Sequence, residues 1–594
     1  MCQKNISKIK GLREEMLKKN ISAIVIPNCD PHNSEYLADH WKKIPWISGF
    51  TGSAAIVVIT AESAGLWTDS RYFIQGEAEL KDSEVQLQKM GLQDKNTPIK
   101  WLQKNLKKGD TVAMTGDMWP HAEISKYINS LTKQEINVQT TIDLISTIWI
   151  ERRPALPASP IFPHDLKYAG VSTREKLQTI RNQMKDQDVA WHLVTTLDDI
   201  AWICNLRGHD VSYNPVFLAY MLIGKSEAYL YIDEKKQTDS ILQNLNDAGI
   251  KARSYYNIAS DLQDLKERTL VNPEDCNQYL YETIPVDQVV EGITISRLLK
   301  ACKNTIECQH IEKMMVKDGI ALVNSFYWLD QNIDTEPITE ATFADKIAFF
   351  RSQQEGYYGE SFPAIVGYKS NGAINHYRPH HDSALQLKRE GILLCDSGGQ
   401  YVDGTSDITR TIALGTPKEE QKRAFTLVLK GHISLDSIQY PRGTTGSQLD
   451  VLARQHLWQA GMNYGHGTGH GVGFFMNVHE PPQGFAPGTG SRATTELLPG
   501  MFSSNEPGYY KDGEYGIRIE NLVITQKSTI EGFLCHHNVT LYPMDLNMID
   551  VSLLSPHDID WINEYQIRVY AALSPLLFGE IKRWFEKQCG LIKV

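Results

Sequence analysis

Two stretches in the first third of the chain share one pattern of apolar and charged residues at identical spacing. The first has Leu12-Arg13, Met16 and the run ISAIVI at 21–26, and the second has Ile180-Arg181, Met184 and the run VAWHLV at 189–194. Each pattern predicts an amphipathic helix that leads into a short buried strand, and further strand-like runs follow each one. The repeat indicates two duplicated mixed α/β domains.

The chain is also too long for one hydrophobic core. It has 594 residues, whereas a single core seldom serves more than about 250–300 residues. The segment PALPASPIFP at 154–163 holds four prolines, which favours a connector over a helix or strand. We therefore expect a first α/β domain over 1–155 and a second, duplicated α/β domain over 156–303.

A third and larger α+β domain is expected over 304–594. It opens with a long amphipathic helix, for which Thr305 is the expected N-cap. The expected apolar stripe of this helix consists of Ile306, Ile311, Met314, Met315 and Ile320. Helices then alternate with glycine-punctuated strands, and a helical tail over about 545–594 closes the chain.

Composition and charge argue against several functional classes. No apolar run approaches the roughly 20 residues of a membrane span, and the N-terminal MCQKNISKIKGLREEM lacks the apolar core of a signal peptide. A net charge of −11 without a basic block argues against a nucleic-acid surface. The nine cysteines are scattered, as expected in a reducing compartment. We expect a cytoplasmic protein whose partners include no membrane and no nucleic acid.

Four acidic residues lie in strand-like, apolar sequence in the last third of the chain. Asp396 ends one apolar run and Asp407 lies in the next, with glycine and Asp-Gly turn residues between them. Glu506 and Glu520 flank a similar connection with Pro-Gly and Asp-Gly. Each pattern predicts a hairpin that brings its two carboxylates together. Because each buried carboxylate ion costs several kcal/mol, cations must lie close to the four.

One histidine completes a candidate metal-binding set. His470, in HGTGHGVG, adds an imidazole to four carboxylates whose negative charges balance two divalent cations. An oxygen-rich set with one nitrogen and no thiolate favours Mn²⁺, with Co²⁺, Mg²⁺ or Zn²⁺ as alternatives. A single Asp or Glu beside a glycine turn is more often a cap, but the joint occurrence favours ligands. Two such ions would activate a bridging water, so the predicted reaction is metal-assisted hydrolysis.

These motifs resemble those of the pita-bread metallopeptidases, the family that includes methionine aminopeptidase, prolidase and Xaa-Pro aminopeptidase. DSGGQYVDGTSDITRT resembles the two-Asp strand pair of that family, HGTGHGVGFFMNVHEPP its histidine loop and NEPGYYKDGEYGIRIEN its two-Glu segment. The resemblance implies that the metal ligands are Asp396, Asp407, His470, Glu506 and Glu520. It further implies that Asp407 and Glu520 bridge both ions.

Three more residues match family positions near the substrate. They are His376 in NGAINHYRP, His466 in the histidine loop and His479 in VHEPP; a further candidate, Arg518, lies two residues before Glu520. The resemblance implies that the three histidines are catalytic, stabilising the tetrahedral intermediate or moving a proton, and that His376 and His479 also bind substrate. A hydrogen-bonded structural histidine remains the alternative for His466. Arg518 is expected on the same strand face as Glu520, where it would orient Glu520 or bind substrate.

The rest of the chain selects a branch of the family. The segments 50–73 and 197–220 resemble the first and second domains of three-domain Xaa-Pro aminopeptidases. This likeness implies two creatinase-like N-terminal α/β domains followed by a pita-bread catalytic domain. It implies a homodimeric enzyme that removes the N-terminal residue from peptides with proline second. A prolidase that cleaves Xaa-Pro dipeptides is one alternative, and a non-catalytic module that binds peptides or proteins is another.

Overall fold

The computed structural model describes residues 2–91 and 96–593, except for the side chains of residues 2–6. The α-helices are α1 Cys2–Lys18, α2 Lys43–Ser48, α3 Phe73–Glu79, α4 Pro98–Asn105, α5 His121–Thr132, α6 Leu144–Ile148, α7 Leu166–Ala169, α8 Thr173–Asp186, α9 Leu197–Cys204, α10 Asp239–Asp247, α11 Ile258–Gln263, α12 Gln278–Thr283, α13 Ile295–Ala301, α14 Thr305–Asn332, α15 Glu340–Ser352, α16 Glu419–Asp436, α17 Gly446–Gln459, α18 Ser491–Thr494, α19 Pro556–Leu573 and α20 Gly579–Gln588.

The β-strands of the first half are short and mostly buried. They are β1 Ala23–Pro27, β2 Ile56–Thr60, β3 Ala64–Thr68, β4 Val85–Lys89, β5 Thr111–Ala113, β6 Asn137–Gln139, β7 Phe162–Pro163, β8 Trp191–Val194, β9 Leu206–Arg207, β10 Ala219–Gly224, β11 Ala228–Ile232, β12 Ile250–Arg253, β13 Thr269–Val271 and β14 Val289–Glu291. Those of the second half are β15 Tyr357–Glu360, β16 Ile365–Tyr368, β17 Ile392–Ser397, β18 Gly399–Tyr401, β19 Gly404–Thr405, β20 Ile408–Ala413, β21 Tyr440–Pro441, β22 Gly469–Gly471, β23 Glu480–Phe485, β24 Phe502–Asn505, β25 Gly508–Lys511, β26 Tyr515–Arg518, β27 Asn521–Lys527 and β28 Phe533–Asn538.

The predicted duplication is present as two sheets with one topology. The first sheet has the strand order β4-β3-β2-β1-β5-β6 and the second β12-β11-β10-β8-β13-β14. In each, the first strand of the repeat pairs antiparallel with the next long strand and parallel with a later one. The helices α1 and α8 precede these first strands, as the repeated spacing predicts. The apolar residues of the repeat, such as Leu12 and Ile180, are fully buried.

The chain divides into two compact units. One contains Met1–Asp165 and Val171–Ser296, and the other contains Leu166–Gly170 and Arg297–Val594. Both duplicated sheets lie in the first unit. The finer division at residues 155 and 303 remains a prediction. Across the described residues, none of the helices has the length and apolar character that crossing a bilayer requires.

The second unit opens with the predicted long helix, α14, but two details of the prediction were wrong. The N-cap is Asn304, whose side chain accepts from the amides of Ile306 and Glu307 in a capping box. Thr305 is therefore the first helical residue. Ile306 is 39% exposed, because it lies in the first turn before the helix reaches the core. Ile311, Met314 and Met315 are buried as expected.

Two antiparallel sheets of the second unit carry the acidic segments. One has the order β16-β17-β20 and the other β21-β28-β27-β24-β22-β23. A large apolar core packs α14, α15, α16 and the C-terminal helices against these strands. The tail predicted from about residue 545 contains α19 and α20, and it buries Ile562, Val569 and Phe585 in that core.

Candidate metal centre

Both predicted acidic hairpins are present and bring their carboxylates to the ends of paired strands. β17 pairs antiparallel with β20, with Asp396 opposite Thr409, and Asp407 directly precedes β20. β24, which ends directly before Glu506, pairs antiparallel with β27, which begins directly after Glu520. His470 is the central residue of β22, which pairs with β24. Neighbouring strands therefore carry the predicted ligands.

Three of the predicted ligands form a compact cluster. Ligand atoms of Asp407, His470 and Glu520 all lie within 4.8 Å of one another. The Nε2 atom of His470 is 3.5 Å from Asp407 Oδ2 and 3.6 Å from Glu506 Oε1. Asp407, His470 and Glu520 are buried, whereas Glu506 is partly exposed. Four of the five predicted ligands therefore meet at one point.

The orientation of His470 suits a metal ligand. Its Nδ1 atom is 2.9 Å from the carbonyl oxygen of Gly471, to which it donates, and this leaves Nε2 directed at the carboxylates. The amide of His470 donates to Ser504 Oγ at 3.0 Å. Burial, and then the neighbouring His479, lower the pKa of His470 to about 4. The imidazole is therefore neutral near pH 7 and has a free lone pair.

Burial and mutual proximity disfavour ionisation of these carboxyl groups in the absence of cations. Burial raises the pKa of Asp407 well above its usual value, and the charge of Asp396 raises it further. Burial also raises the pKa of Glu520 strongly, with Asp407 as the next cause. The pKa of Glu506 is raised by burial, although His470 opposes the shift. Carboxylates crowded in this way stay ionised together only beside positive charge.

Asp396 contacts an arginine. Its Oδ2 atom accepts from Arg518 Nη2 at 2.5 Å, while its Oδ1 atom is buried and has no hydrogen-bond partner in the described part of the chain. The Nε atom of Arg518 donates to Thr409 Oγ1 at 3.1 Å, and Nη1 donates to Tyr510 Oη at 2.7 Å. Among the hydrogen bonds of the described residues, Arg518 thus donates to Asp396 directly and is linked to Glu520 through the hydroxyl of Thr409.

The predicted catalytic histidines have different surroundings. His466 Nε2 is 2.8 Å from Tyr510 Oη and its Nδ1 is 2.7 Å from the carbonyl of Gly467. His479 packs edge-on against His470, with ring centroids 4.3 Å apart. His376 lies in the loop after β16, next to Tyr377, whose hydroxyl donates to the buried carboxylate of Glu340 at 2.8 Å. The structure thus brings His466 and His479 next to the carboxylate network.

Buried charge also holds the backbone beside His479. The next residue, Glu480, is fully buried and accepts from Lys300 Nζ at 3.2 Å and from Lys303 Nζ. Both lysines lie at the start of the second unit. The residue that follows His479 is therefore anchored to the segment that leads into α14.

Sequence reasoning missed two residues of this network. Thr409 donates to Glu520 Oε2 at 2.7 Å and so links the two hairpins. Its position two residues after Asp407 on a strand was an available signal, because such residues share a face. Tyr510 connects Arg518 with His466. Nothing in its local sequence distinguishes it from the adjacent Tyr509.

The residues fit divalent cations. Asp407, His470, Glu506 and Glu520 lie close together, one oxygen of Asp396 is buried without a donor among the described residues, and ionisation of three carboxylates is disfavoured. Oxygen-rich sets with one imidazole nitrogen are typical of Mn²⁺ and related hard or borderline ions. The arrangement can therefore hold metal ions and present a water to a peptide carbonyl.

Family models match almost the whole chain. Two models described as the Creatinase/Prolidase N-terminal domain match residues 8–146 and 152–307. The model of metallopeptidase family M24 matches residues 297–527, and that of the C-terminal region of peptidase M24 matches 532–592. The order of matches is that of two creatinase-like domains followed by a peptidase domain.

Similar proteins include named aminopeptidases. The chain is 39% identical over 604 residues to a probable Xaa-Pro aminopeptidase P of Laccaria bicolor, covering 98% of this chain and 93% of the relative. The crystal structure of an X-prolyl aminopeptidase from Caenorhabditis elegans, described as cytosolic with a di-nuclear active site, matches with a TM-score of 0.95. It is 31% identical and covers 99% of this chain and 100% of that one.

A solved dipeptidase matches less of the chain. The Xaa-Pro dipeptidase of Bacillus anthracis has a TM-score of 0.50 and 23% identity, and covers 63% of this chain and 99% of that one. At that identity the match indicates a shared fold only. The Laccaria bicolor and Caenorhabditis elegans proteins, which match nearly the whole chain, are named as aminopeptidases, whereas the dipeptidase matches only 63% of it.

Proposed function

The chain belongs to metallopeptidase family M24, and we propose that it removes the N-terminal residue from peptides whose second residue is proline. The observation that carries the proposal is the cluster of Asp407, His470 and Glu520 ligand atoms within 4.8 Å of one another. Relatives matched over nearly the full length are Xaa-Pro aminopeptidases, which favours an aminopeptidase over a dipeptidase. The three-domain division at residues 155 and 303 forms part of the same proposal.

We assign five ligands to two divalent cations. The residues that would hold them are Asp396, Asp407, His470, Glu506 and Glu520. The unpartnered Oδ1 atom of Asp396 and the free Nε2 lone pair of His470 support this assignment. When bound, the cations would supply Lewis acidity and a strongly nucleophilic water. We propose Mn²⁺, with Co²⁺ or Zn²⁺ as alternatives.

The surrounding residues would handle the substrate. As in the hydrolysis of any peptide bond, the leaving nitrogen of an Xaa-Pro bond must receive a proton when the C–N bond breaks. His479, stacked edge-on to His470, and His376 are proposed to bind the substrate backbone. His466 has both ring nitrogens in hydrogen bonds, and its contact to Tyr510 and thence Arg518 supports a proton-transfer role. Arg518 is proposed to keep Asp396 ionised and oriented rather than to bind substrate directly.

We further propose a cytoplasmic homodimer. The C. elegans enzyme is described as cytosolic. Helix α17 exposes Val451 by 45% and Trp458 by 49%, seven positions apart on one face. Exposed apolar side chains that adjoin one another on a helix face form the kind of patch through which proteins associate. Light scattering at increasing protein concentration would measure the assembly directly.

The test is hydrolysis of an Xaa-Pro-Xaa tripeptide by metal-stripped protein to which Mn²⁺ is returned. We expect Mn²⁺ to restore release of the first residue in the wild type but not in Asp407→Ala. Asp403→Ala is the matched control, because Asp403 is a buried carboxylate of the same hairpin that pairs with Lys317 instead of the ligand cluster. Parallel titrations with Co²⁺ and Zn²⁺ compare the metals.

Two outcomes would change the assignment. Cleavage of an Xaa-Pro dipeptide without cleavage of the tripeptide would identify a prolidase. Absence of cleavage with every metal, by protein that is folded, would leave a peptide-binding module as the remaining alternative.

A further inference from the structure

A buried ion pair packs against the Asp hairpin, residues 396–407. It takes no part in the proposed chemistry. Helix α14 contributes Asp318 and helix α15 contributes Arg351, with exposures of 2% and 0%. We propose that this pair is a positioning device that fixes Asp396 relative to Asp407 and thereby sets the affinity of the site for divalent cations. The inference rests on the proposed function, in which both aspartates are ligands.

The ion pair is bonded to the residue next to each ligand. Arg351 Nε and Nη2 donate to the two carboxylate oxygens of Asp318 at 2.8 and 3.1 Å, and Nη2 also donates to the carbonyl of Ser397 at 3.2 Å. Ser406 Oγ donates to Asp318 Oδ1 at 2.8 Å. Ser397 follows Asp396 and Ser406 precedes Asp407. One ion pair therefore holds both strands of the hairpin at the level of the ligands.

Further bonds close the hairpin at the same level. Ser406 Oγ accepts from the amide of Gly399 at 2.9 Å, and the carbonyl of Ser406 accepts from Ser361 Oγ at 2.8 Å. Within the described residues, the hydrogen bonds of Asp318 and Arg351 do not reach the carboxylates of Asp396 or Asp407. The pair thus acts on the backbone that carries the ligands and leaves their oxygens available.

Burial of the pair calls for a role besides stability. A buried ion pair loses so much hydration that apolar residues of similar volume often stabilise a protein equally well. A rigid, bidentate Arg–carboxylate fork, however, fixes geometry in a way that apolar packing does not. Metal sites depend on such outer partners, whose loss typically lowers metal affinity by about 10–100-fold.

Two hydroxyl groups offer a matched test, since both donate to the same oxygen of Asp318. Ser406 does so at 2.8 Å and Tyr401 at 2.9 Å. Ser406 adjoins the ligand Asp407, whereas Tyr401 lies on β18, five residues after Asp396 and six before Asp407. Ser406→Ala and Tyr401→Phe each remove one donor from Asp318, and Ser406→Ala also removes the acceptor of the Gly399 amide, so the two variants differ in the bonds that hold the backbone beside a ligand.

The experiment measures metal binding directly on the full chain stripped of metal. Titration calorimetry with Mn²⁺ should show affinity weakened by about tenfold or more in Ser406→Ala, and by less than about twofold in Tyr401→Phe. The visible absorption of the Co²⁺-loaded proteins reports ligand geometry, and it should change in Ser406→Ala only. Arg351→Lys, which keeps the charge but loses the fork, should weaken Mn²⁺ binding as well, while Lys317→Met at the hairpin tip should not.

Equal Mn²⁺ affinities and identical Co²⁺ spectra in Ser406→Ala, Tyr401→Phe and wild type would overturn the positioning role while leaving the proposed function intact. If Ser406→Ala does not fold, the comparison of Arg351→Lys with Lys317→Met decides by the same two readouts. A wild-type chain that binds neither ion would reject the proposed function itself.

Discussion

The two acidic hairpins are supported from behind in different ways. The Asp hairpin, residues 396–407, rests on the closed ion pair of Asp318 and Arg351. The Glu hairpin, residues 506–520, is held by Arg410, which donates to the carbonyl of Glu520 at 2.8 Å and to Asn521 Oδ1 at 2.8 Å. Arg410 also donates to the carbonyls of Tyr542 and Pro543. One support carries no net charge, and the other is a buried cation among neutral acceptors.

The two supports come from different parts of the chain. The ion pair comes from α14 and α15, which precede the Asp hairpin in the chain. Arg410 connects the Glu hairpin with the C-terminal segment, including Tyr565 on α19, whose hydroxyl accepts from Nη2 at 2.7 Å. The positive charge of Arg410, after burial, helps to lower the pKa of His432. Removal of charge should therefore affect the two hairpins differently.

The largest expected effect is on the free energy of unfolding. The two supports should differ in whether a second substitution restores the lost stability. Arg351→Met leaves the buried Asp318 charge unpaired and should cost about 3–5 kcal/mol of unfolding free energy. Adding Asp318→Asn should recover part of that loss. Arg410→Met should cost a similar amount, because each of several buried acceptors left without a donor costs about 1–3 kcal/mol.

No single second substitution should restore Arg410→Met, since most of its acceptors are main-chain carbonyls. Denaturant midpoints of the full-length variants measure these effects. Because the two units can unfold separately, the comparison across variants uses the midpoint that shifts. The contrast between the supports fails if Asp318→Asn deepens the loss in Arg351→Met instead of reducing it.

Acid should lower the folding stability of the second unit through His432, which contacts the residue that precedes Glu506. His432 lies on α16, its carbonyl accepts from Asn505 beside Glu506, and it is fully buried. Burial, and then Arg410, lower the pKa of His432 to about 3. The unfolded chain binds a proton below its ordinary pKa of about 6.5, while the folded chain does not. Stability is therefore lost as pH falls from about 6.5 toward 3.

His432→Leu removes this linkage and provides the measurement. At pH 7 the variant should be no more stable than the wild type, whereas by pH 5 it should have gained roughly 2 kcal/mol relative to the wild type. The quantity to compare is the change in denaturant midpoint between the two pH values. Parallel pH dependence in both proteins would show that His432 does not carry the acid sensitivity.

The sequence predicted the local parts of this site better than the connections between them. Both hairpins and His470 followed from turn residues and buried acidic positions, which depend on neighbours along the chain. The bond between Arg518 and Asp396 joins residues far apart in sequence, so strand alternation alone could not specify it. The ion pair of Asp318 and Arg351 was missed for the same reason: both residues lie on helices whose charged positions are ordinarily exposed.

The duplicated domains and the cap of α14 show how far local sequence signals specify the structure. Identical spacing in two stretches predicted the repeated sheet, because helix and strand periods are local signals. The predicted cap of α14, Thr305, was wrong although the sequence held the signal: a capping box pairs the N-cap with a Glu three residues later, which fits Asn304 and Glu307, whereas Thr305 has Cys308 at that position.

The smallest effect should come from a threonine hydroxyl that links the hairpins at a proposed ligand. Thr409 donates to Glu520 Oε2 at 2.7 Å, whereas Thr411, two residues along the same strand, donates to the carbonyl of Arg518 at 3.0 Å. Replacing either by valine removes a buried hydrogen bond at nearly constant shape, so both should lower stability by about 1 kcal/mol. Thr409→Val alone should also lower kcat/KM for the tripeptide, by about tenfold, because a hydrogen bond to an ionised ligand contributes about 1.5–3 kcal/mol. Steady-state kinetics of both variants with saturating Mn²⁺ measure the difference. Equal kcat/KM in the two would mean that the hairpins hold their ligands independently, each through its own support.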